Sequence, residues 1–244
     1  MDLRDKNNTV EGYNSLLEKK IKNIANDYND IKELEASEKK GIQIHRIPNS
    51  EVIQNNFNEI YDLYYDIFFI KYSLGEDILD IIKDCINVID SMENVWKKIS
   101  GYVEMVNMLS VGIMLEIENK YFDKLVHLVK SDNPKDYVVD LLIHYKMPEW
   151  ERANKKFMWK KPYSAFEEIE TLSKTNKEDA TMRLKKYLQK QWLPANDTGQ
   201  SRGKSYHRGY WSFESGAIVK ILQLDDTIIK DLNYYPYDMV QWKK

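Results

Sequence analysis

Glu214 is the residue with the clearest chemical potential in this chain of 244 residues. It stands in HRGYWSFESGAIV, residues 207–219, beside Tyr210, Trp211 and Phe213. A carboxyl group in an aromatic pocket can keep its proton to unusually high pH and serve as a general acid. Such an acid needs company: a histidine, a second carboxylate or a metal. The histidines, His45, His127, His144 and His207, are scattered and pair with no Cys or acid at metal-ligand spacing. Acid pairs at helical spacing do occur, Asp77 with Asp80 and Asp80 with Asp84, but the ExxH pairs of a di-iron bundle are missing. HExxH and CxxC motifs, a glycine-rich phosphate loop and the GxSxG elbow are also missing. The sequence therefore assigns no catalytic residue, no metal site and no cofactor. Ser212 can cap an apolar helix carrying Ile218, Val219, Ile221 and Leu222, with Glu214 in its first turn, where the helix dipole favours an acid. On this reading Glu214 is a hydrogen-bond partner that closes the C-terminal end of the fold.

The elements that must hold such residues are helices. Nine Gly and six Pro are few, and low punctuation favours long helices over a turn-rich β fold. The spacing predicts a first helix from Gly12 to Ala36, with Leu17, Ile21, Ile24, Tyr28 and Ile31 on one stripe. A second runs from Ser50 to Ser73 through Ile53, Phe57, Ile60, Tyr64 and Ile67, ended by Gly75 in a left-handed cap. A third carries Ile78, Ile82, Cys85, Ile89, Met92 and Trp96, which puts the single cysteine on a buried face as packing. Tyr102 to Glu118 is apolar almost all round and reads as the central helix. Shorter helices follow at 121–131 and 136–146. Tyr163–Ser173 and Glu178–Trp192 form a hairpin, whose inner faces hold Ala165, Ile169 and Leu172, and Met182, Leu184, Tyr187 and Leu188. The polar loop from Pro194 to Arg208 is the expected mobile segment. A last helix covers Ser212 to Leu224, before an Asp-Asp turn and an aromatic tail.

The fold class is all-α. A helical bundle forms the N-terminal region, 1–130, and a helical C-terminal region, 131–244, is expected to pack on it. A lone Cys85 makes an internal disulfide impossible and fits a reducing cytoplasm. The polar start, MDLRDKNNTV, carries no signal-peptide core, and no stretch is apolar enough to span a bilayer.

Charge is polarised along the chain. Residues 51–94 hold ten acids against two bases, and residues 151–208 fourteen bases against seven acids. Such asymmetry steers charged partners.

The C-terminal string Gly209-Tyr210-Trp211-Ser212-Phe213-Glu214, then Leu224-Asp225-Asp226, then Tyr234-Tyr235-Pro236-Tyr237-Asp238, resembles the signature of PoNi-type immunity proteins. Lys71-Tyr72-Ser73-Leu74-Gly75 in the N-terminal half matches less specifically. Ser215 and Gly216 stand where that family is expected to carry alanines, a departure that bears on packing. The resemblance implies a bacterial, cytoplasmic, all-helical, non-enzymatic inhibitor that binds a cognate PoNe-class DNase toxin and blocks its DNA site. A DNase presents a basic groove, and clustered carboxylates complement it. The favoured toxin-binding patch is Glu59, Asp62, Asp66, Glu76, Asp77, Asp80 and Asp84; Asp225, Asp226 and Asp231 form the second candidate. Tyr210, Trp211, Glu214, Tyr235, Pro236, Tyr237 and Asp238 are expected to serve the fold. The alternative is a non-catalytic helical nucleic-acid-binding or regulatory protein using the basic segments 152–161 and 202–208. Seventeen tyrosines leave room for a homodimer.

Overall fold

The computed structural model describes residues 2–96, 101–196 and 206–243. Among these every regular element is a helix. The chain forms two compact units, Met1–Lys97 with Arg202–Gly209, and Lys98–Ser201 with Tyr210–Lys244.

Three long helices build the first unit: α1 (Val10–Glu38), α2 (Asn49–Leu74) and α3 (Ile78–Val95). Thr9 caps α1 by accepting a hydrogen bond from the Gly12 amide at 3.0 Å, and Asp77 caps α3 through the Leu79 amide at 2.8 Å. Gly75, at φ 90°, ends α2 in the expected left-handed cap. α1 and α2 run antiparallel, and their facing residues form small apolar clusters. Tyr13 packs with Ile70 and Leu74, and Ile24 with Leu63 and Ile67. The buried stripe of α1 is Tyr13, Ile24, Ile31 and Leu34. Ile21 and Tyr28, expected on that stripe, are 52% and 39% exposed. They sit at its edge, because a second helix covers a narrower arc than the apolar residues span. On α3 the fully buried position is Ile81, with Ile82 only half-buried, a shift of one residue. Cys85 lies on this buried face, and burial pushes its thiol far up.

The second unit is organised around α4 (Tyr102–Met114), whose residues from Met105 to Met114 are all buried. This is the central helix expected from its composition, though it stops at Met114 and not at Glu118. Glu116 takes a left-handed backbone, φ 50°, and pairs with Lys220 at 2.8 Å. α5 (Asn119–Asp132), α6 (Tyr137–Lys146) and α11 (Phe213–Leu222) pack on α4. The hairpin consists of α8 (Ala165–Ser173) and α9 (Lys177–Tyr187), joined to α6 by a loop ending in the one-turn α7 (Lys160–Tyr163). α9 continues as a π-helical turn, Leu188–Trp192, and then α10 (Leu193–Asn196). Met182, expected on the inner face of the hairpin, is 53% exposed, and Ala180 and Thr181 are buried there instead. The aromatic tail contains a short helix, α12 (Tyr237–Gln241), where no regular element was expected. Residues 197–205 of the polar loop lie outside the described residues.

Gly216 marks the closest approach in this unit. A Cβ there would lie 2.8 Å from Pro236 Cγ and 2.9 Å from Val240 Cγ2, and closer still to Met114 Sδ. α4, α11 and α12 meet at this point because the residue has no side chain.

Candidate functional site

The α1–α2 seam carries a run of ionisable groups whose register follows from the antiparallel packing. At one end Lys20 of α1 meets Asp66 of α2 at 2.5 Å. Two turns further along α1, Asp27 comes up against the charge of Glu59 on α2. Asp27 has one carboxylate oxygen, Oδ2, buried without a hydrogen-bond partner. Burial first, then Glu59 and Asp30, push its pKa up. The same holds for Asp62, raised by burial and then by Glu59 and Asp66, against opposing pulls from Arg208 and Lys20. Tyr64, facing Tyr28 across the same seam, is pushed up to about 12, mainly by burial. Asp27, Asp30, Glu59 and Asp62 are thus a group of like charges shared between two helices, and none is held in an ion pair among the described residues.

Of the acids expected to form one patch, the structure brings only Glu59 and Asp62 into this group. Asp66 is neutralised by Lys20 and by Arg208. Asp84 is buried and pairs with Lys71 at 3.0 Å, and Lys71 also reaches Glu76 at 3.8 Å. Burial outweighs Lys71 in both acids and leaves each pKa raised. Asp80 pairs with Lys83 at 2.7 Å, and Asp77 is occupied as the cap of α3. Asp27 and Asp30 were missed by reasoning from local charge. α1 carries seven acids against four bases, interleaved along its length, and only the register against α2 singles these two out.

Of the second acidic candidate, Asp225 and Asp231 are exposed and Asp226 is buried. Asp226 turns inward, 6% exposed, and accepts hydrogen bonds from Tyr235 Oη at 2.9 Å and Gln241 Nε2 at 2.9 and 3.1 Å. Asp225 is used locally, accepting from the Thr227 amide at 3.0 Å.

Residues 207–219 are divided between the units. His207 and Arg208 belong to the first. His207 is 1% exposed, and its Nε2 lies 2.6 Å from Asp5 Oδ2, which also accepts from Tyr13 Oη at 3.0 Å. Burial works against the Asp5 charge, yet the bonds from His207, Asn7 and Tyr13 together hold its pKa down. Arg208 pairs with Asp66 and lies over the rings of Tyr65 and Phe69, 5.1 and 4.8 Å from their centroids. Its carbonyl accepts from Ser73 Oγ at 2.9 Å. Two side chains of the basic segment 202–208 are therefore spent inside the fold; residues 202–205 lie outside the described residues.

Glu214 lies in the second unit, 1% exposed. Its Oε1 accepts from Tyr187 Oη at 2.9 Å and Ser212 Oγ at 2.8 Å. Ser212 occupies the cap position of α11 but its hydroxyl serves Glu214 and Ser215, not a backbone amide. Burial pushes the Glu214 pKa up to about 7, against hydrogen bonds from its own amide, Ser212, Tyr187 and Trp192. A group so enclosed cannot meet a substrate. The tail folds back: Tyr234 packs edge-on against Tyr210, and its carbonyl accepts the Ser212 amide at 2.8 Å. Trp211, Tyr235 and Pro236 are buried, Tyr237 is half-buried and Asp238 exposed. Among the described residues no group of His, Cys, Asp or Glu converges to hold a metal. No helix among them is long and apolar enough to cross a membrane.

The model of the PoNe immunity protein (PoNi) N-terminal region matches residues 4–127, and that of the C-terminal region matches residues 134–239. The chain belongs to the PoNe immunity protein family. Membership makes it an immunity protein directed against a PoNe toxin. No curated protein and no solved structure matches the chain. Both family regions contain the features described above: the α1–α2 seam lies in the first, and the Glu214 network in the second.

Proposed function

We propose that this PoNi-family chain binds and neutralises a cognate PoNe DNase, with the open carboxylates of the α1–α2 seam facing the cationic DNA groove of the toxin. One observation carries the reading. Asp27, Asp30, Glu59 and Asp62 repel one another across two helices, with Asp27 and Asp62 raised in pKa by burial and by their neighbours. Like charges held together this way cost free energy in the isolated protein, and a cationic partner relieves that cost on binding. The same field steers the approach of a basic surface. Asp66, Glu76, Asp77, Asp80 and Asp84 contribute through the same field more than by direct pairing, because each already has a bond or ion pair of its own. The site of action is the cytoplasm of the producing bacterium, and the role is inhibition without catalysis.

Co-expression with the toxin domain encoded beside it tests the reading, scoring survival and DNA integrity, with calorimetry on the purified pair. The double reversal Glu59→Lys/Asp62→Lys should weaken the complex by roughly 100-fold, since close charge pairs across such interfaces couple by several kcal/mol. Asp231→Lys should leave it unchanged. A reversed variant that binds and protects like the parent would move the interface off this seam; absence of any complex would sink neutralisation by binding.

A further inference from the structure

The loop between α6 and α7 carries a surface of the opposite sign, in the second unit and apart from the residues used above. From Arg152 to Phe166 the chain has five bases and no acid. Arg152 turns inward, its guanidinium bonded to both oxygens of Glu170 at 2.9 and 2.6 Å. Lys155, Lys156, Lys160 and Lys161 are all exposed, and none is held in an ion pair among the described residues. Among them stand Met158 and Trp159, 49% and 54% exposed. The indole lies parallel to the Tyr102 ring, centroids 6.4 Å apart at 10°, which fixes its orientation and leaves more than half of it open.

The loop is shaped in advance. The Met158 amide donates to Asp136 Oδ2 at 2.7 Å and the Asn154 amide to Asp140 Oδ2 at 3.0 Å. The Tyr137 amide donates to the Lys156 carbonyl at 2.7 Å. Two buried acids thus anchor a segment whose lysines, Met158 and Trp159 are exposed, so binding has little ordering left to impose. Lysines are depleted at protein–protein interfaces, whereas ammonium groups flanking an open aromatic face suit phosphates and an unstacked base.

We propose that this face binds a single strand of nucleic acid, the lysines holding its phosphates and Trp159 stacking a base. A duplex keeps its base faces covered, so the strand is the better ligand. The inference is independent of the toxin interface.

The test uses the full chain and a fluorescein-labelled DNA strand of about 20 nucleotides, with its duplex as comparison, by anisotropy between about 50 and 200 mM salt. The strand should bind more tightly than the duplex and weaken as salt rises. Lys155→Glu/Lys160→Glu should reduce affinity at least tenfold and lower the logarithmic salt slope by about 1.4, near 0.7 for each phosphate no longer neutralised. Trp159→Ala should weaken strand binding by about tenfold with the slope kept. Trp159→Phe, which retains a ring over Tyr102, should recover most of it. The lysine pair is exposed and leaves the fold intact, so it stands even if Trp159→Ala loosens the loop. No binding at the lowest salt would overturn the proposal, as would binding indifferent to the lysine pair. Polyglutamate bound as tightly as the strand would mark a surface for acidic protein instead.

Discussion

Two glutamates of the second unit show the opposite things that surroundings do to a carboxyl group. Burial pushes Glu214 up to about 7, while the Arg152 hydrogen bonds, helped by Tyr137, hold Glu170 down at about 2. The consequences for stability have opposite signs. The raised Glu214 favours the protonated fold, so its contribution is complete below the ordinary value near 4.5 and is lost as pH rises through about 7. The lowered Glu170 contributes above 4.5, and that contribution is lost as pH falls through about 2. Urea unfolding across pH should therefore show the parent losing stability between about pH 4.5 and 7, on the order of 3 kcal/mol. Glu214→Gln should flatten that limb and leave the acid limb alone; Glu170→Gln should do the reverse. An unchanged slope in Glu214→Gln would mean that Glu214 titrates alike in the folded and unfolded chain and is not the source of that limb. At this scale the sequence disclosed that Glu214 lacks catalytic company. It did not disclose Tyr187, 27 residues away, as the donor that holds it, because such a pairing follows from how α9 and α11 pack.

Helices were readable where their period was long. α1 to α3 announce themselves through repeated apolar spacing, because burial of one face dictates which positions are apolar, and α4 through being apolar all round. Edges were less readable: Ile21 and Met182 are apolar yet exposed, since only the neighbour decides how wide a buried face is. α12 carried no signal, being five residues long and starting after Pro236 among aromatic residues. The space at Gly216 was equally silent in sequence, where a glycine within a helix reads as a mild defect. Its surroundings argue the reverse. Gly216→Ala should destabilise the protein by about 1–3 kcal/mol through overpacking against Pro236 and Val240, measured by chemical unfolding. Ser215→Ala, which removes one hydrogen bond with Ser212, should cost about 1 kcal/mol. Equal stability of Gly216→Ala and the parent would show that α12 can move aside.

For the molecule as a whole, the charge polarity of the sequence survives folding only in part. Much of the acidic stretch is consumed internally, by Lys20, Lys71, Lys83 and Arg208. What remains is concentrated on the α1–α2 seam, so the field there is local. Association with a basic toxin should then be fast at low salt and slow steeply as salt rises, while dissociation changes little. Stopped-flow mixing at several ionic strengths measures both, and a salt effect confined to dissociation would contradict steering. The bundle was legible as a class; the compact units cut the chain differently from a division at residue 130. The first unit takes its last piece, Arg202–Gly209, from far beyond its three helices, across the sequence of the second.

That borrowed piece sets a clock. A growing chain that has reached residue 97 possesses α1, α2 and α3, yet lacks His207 to meet Asp5 and Arg208 to meet Asp66. About 110 further residues must leave the ribosome first, roughly ten seconds of translation. The carboxylate surface of the first helices is finished only near the end of synthesis.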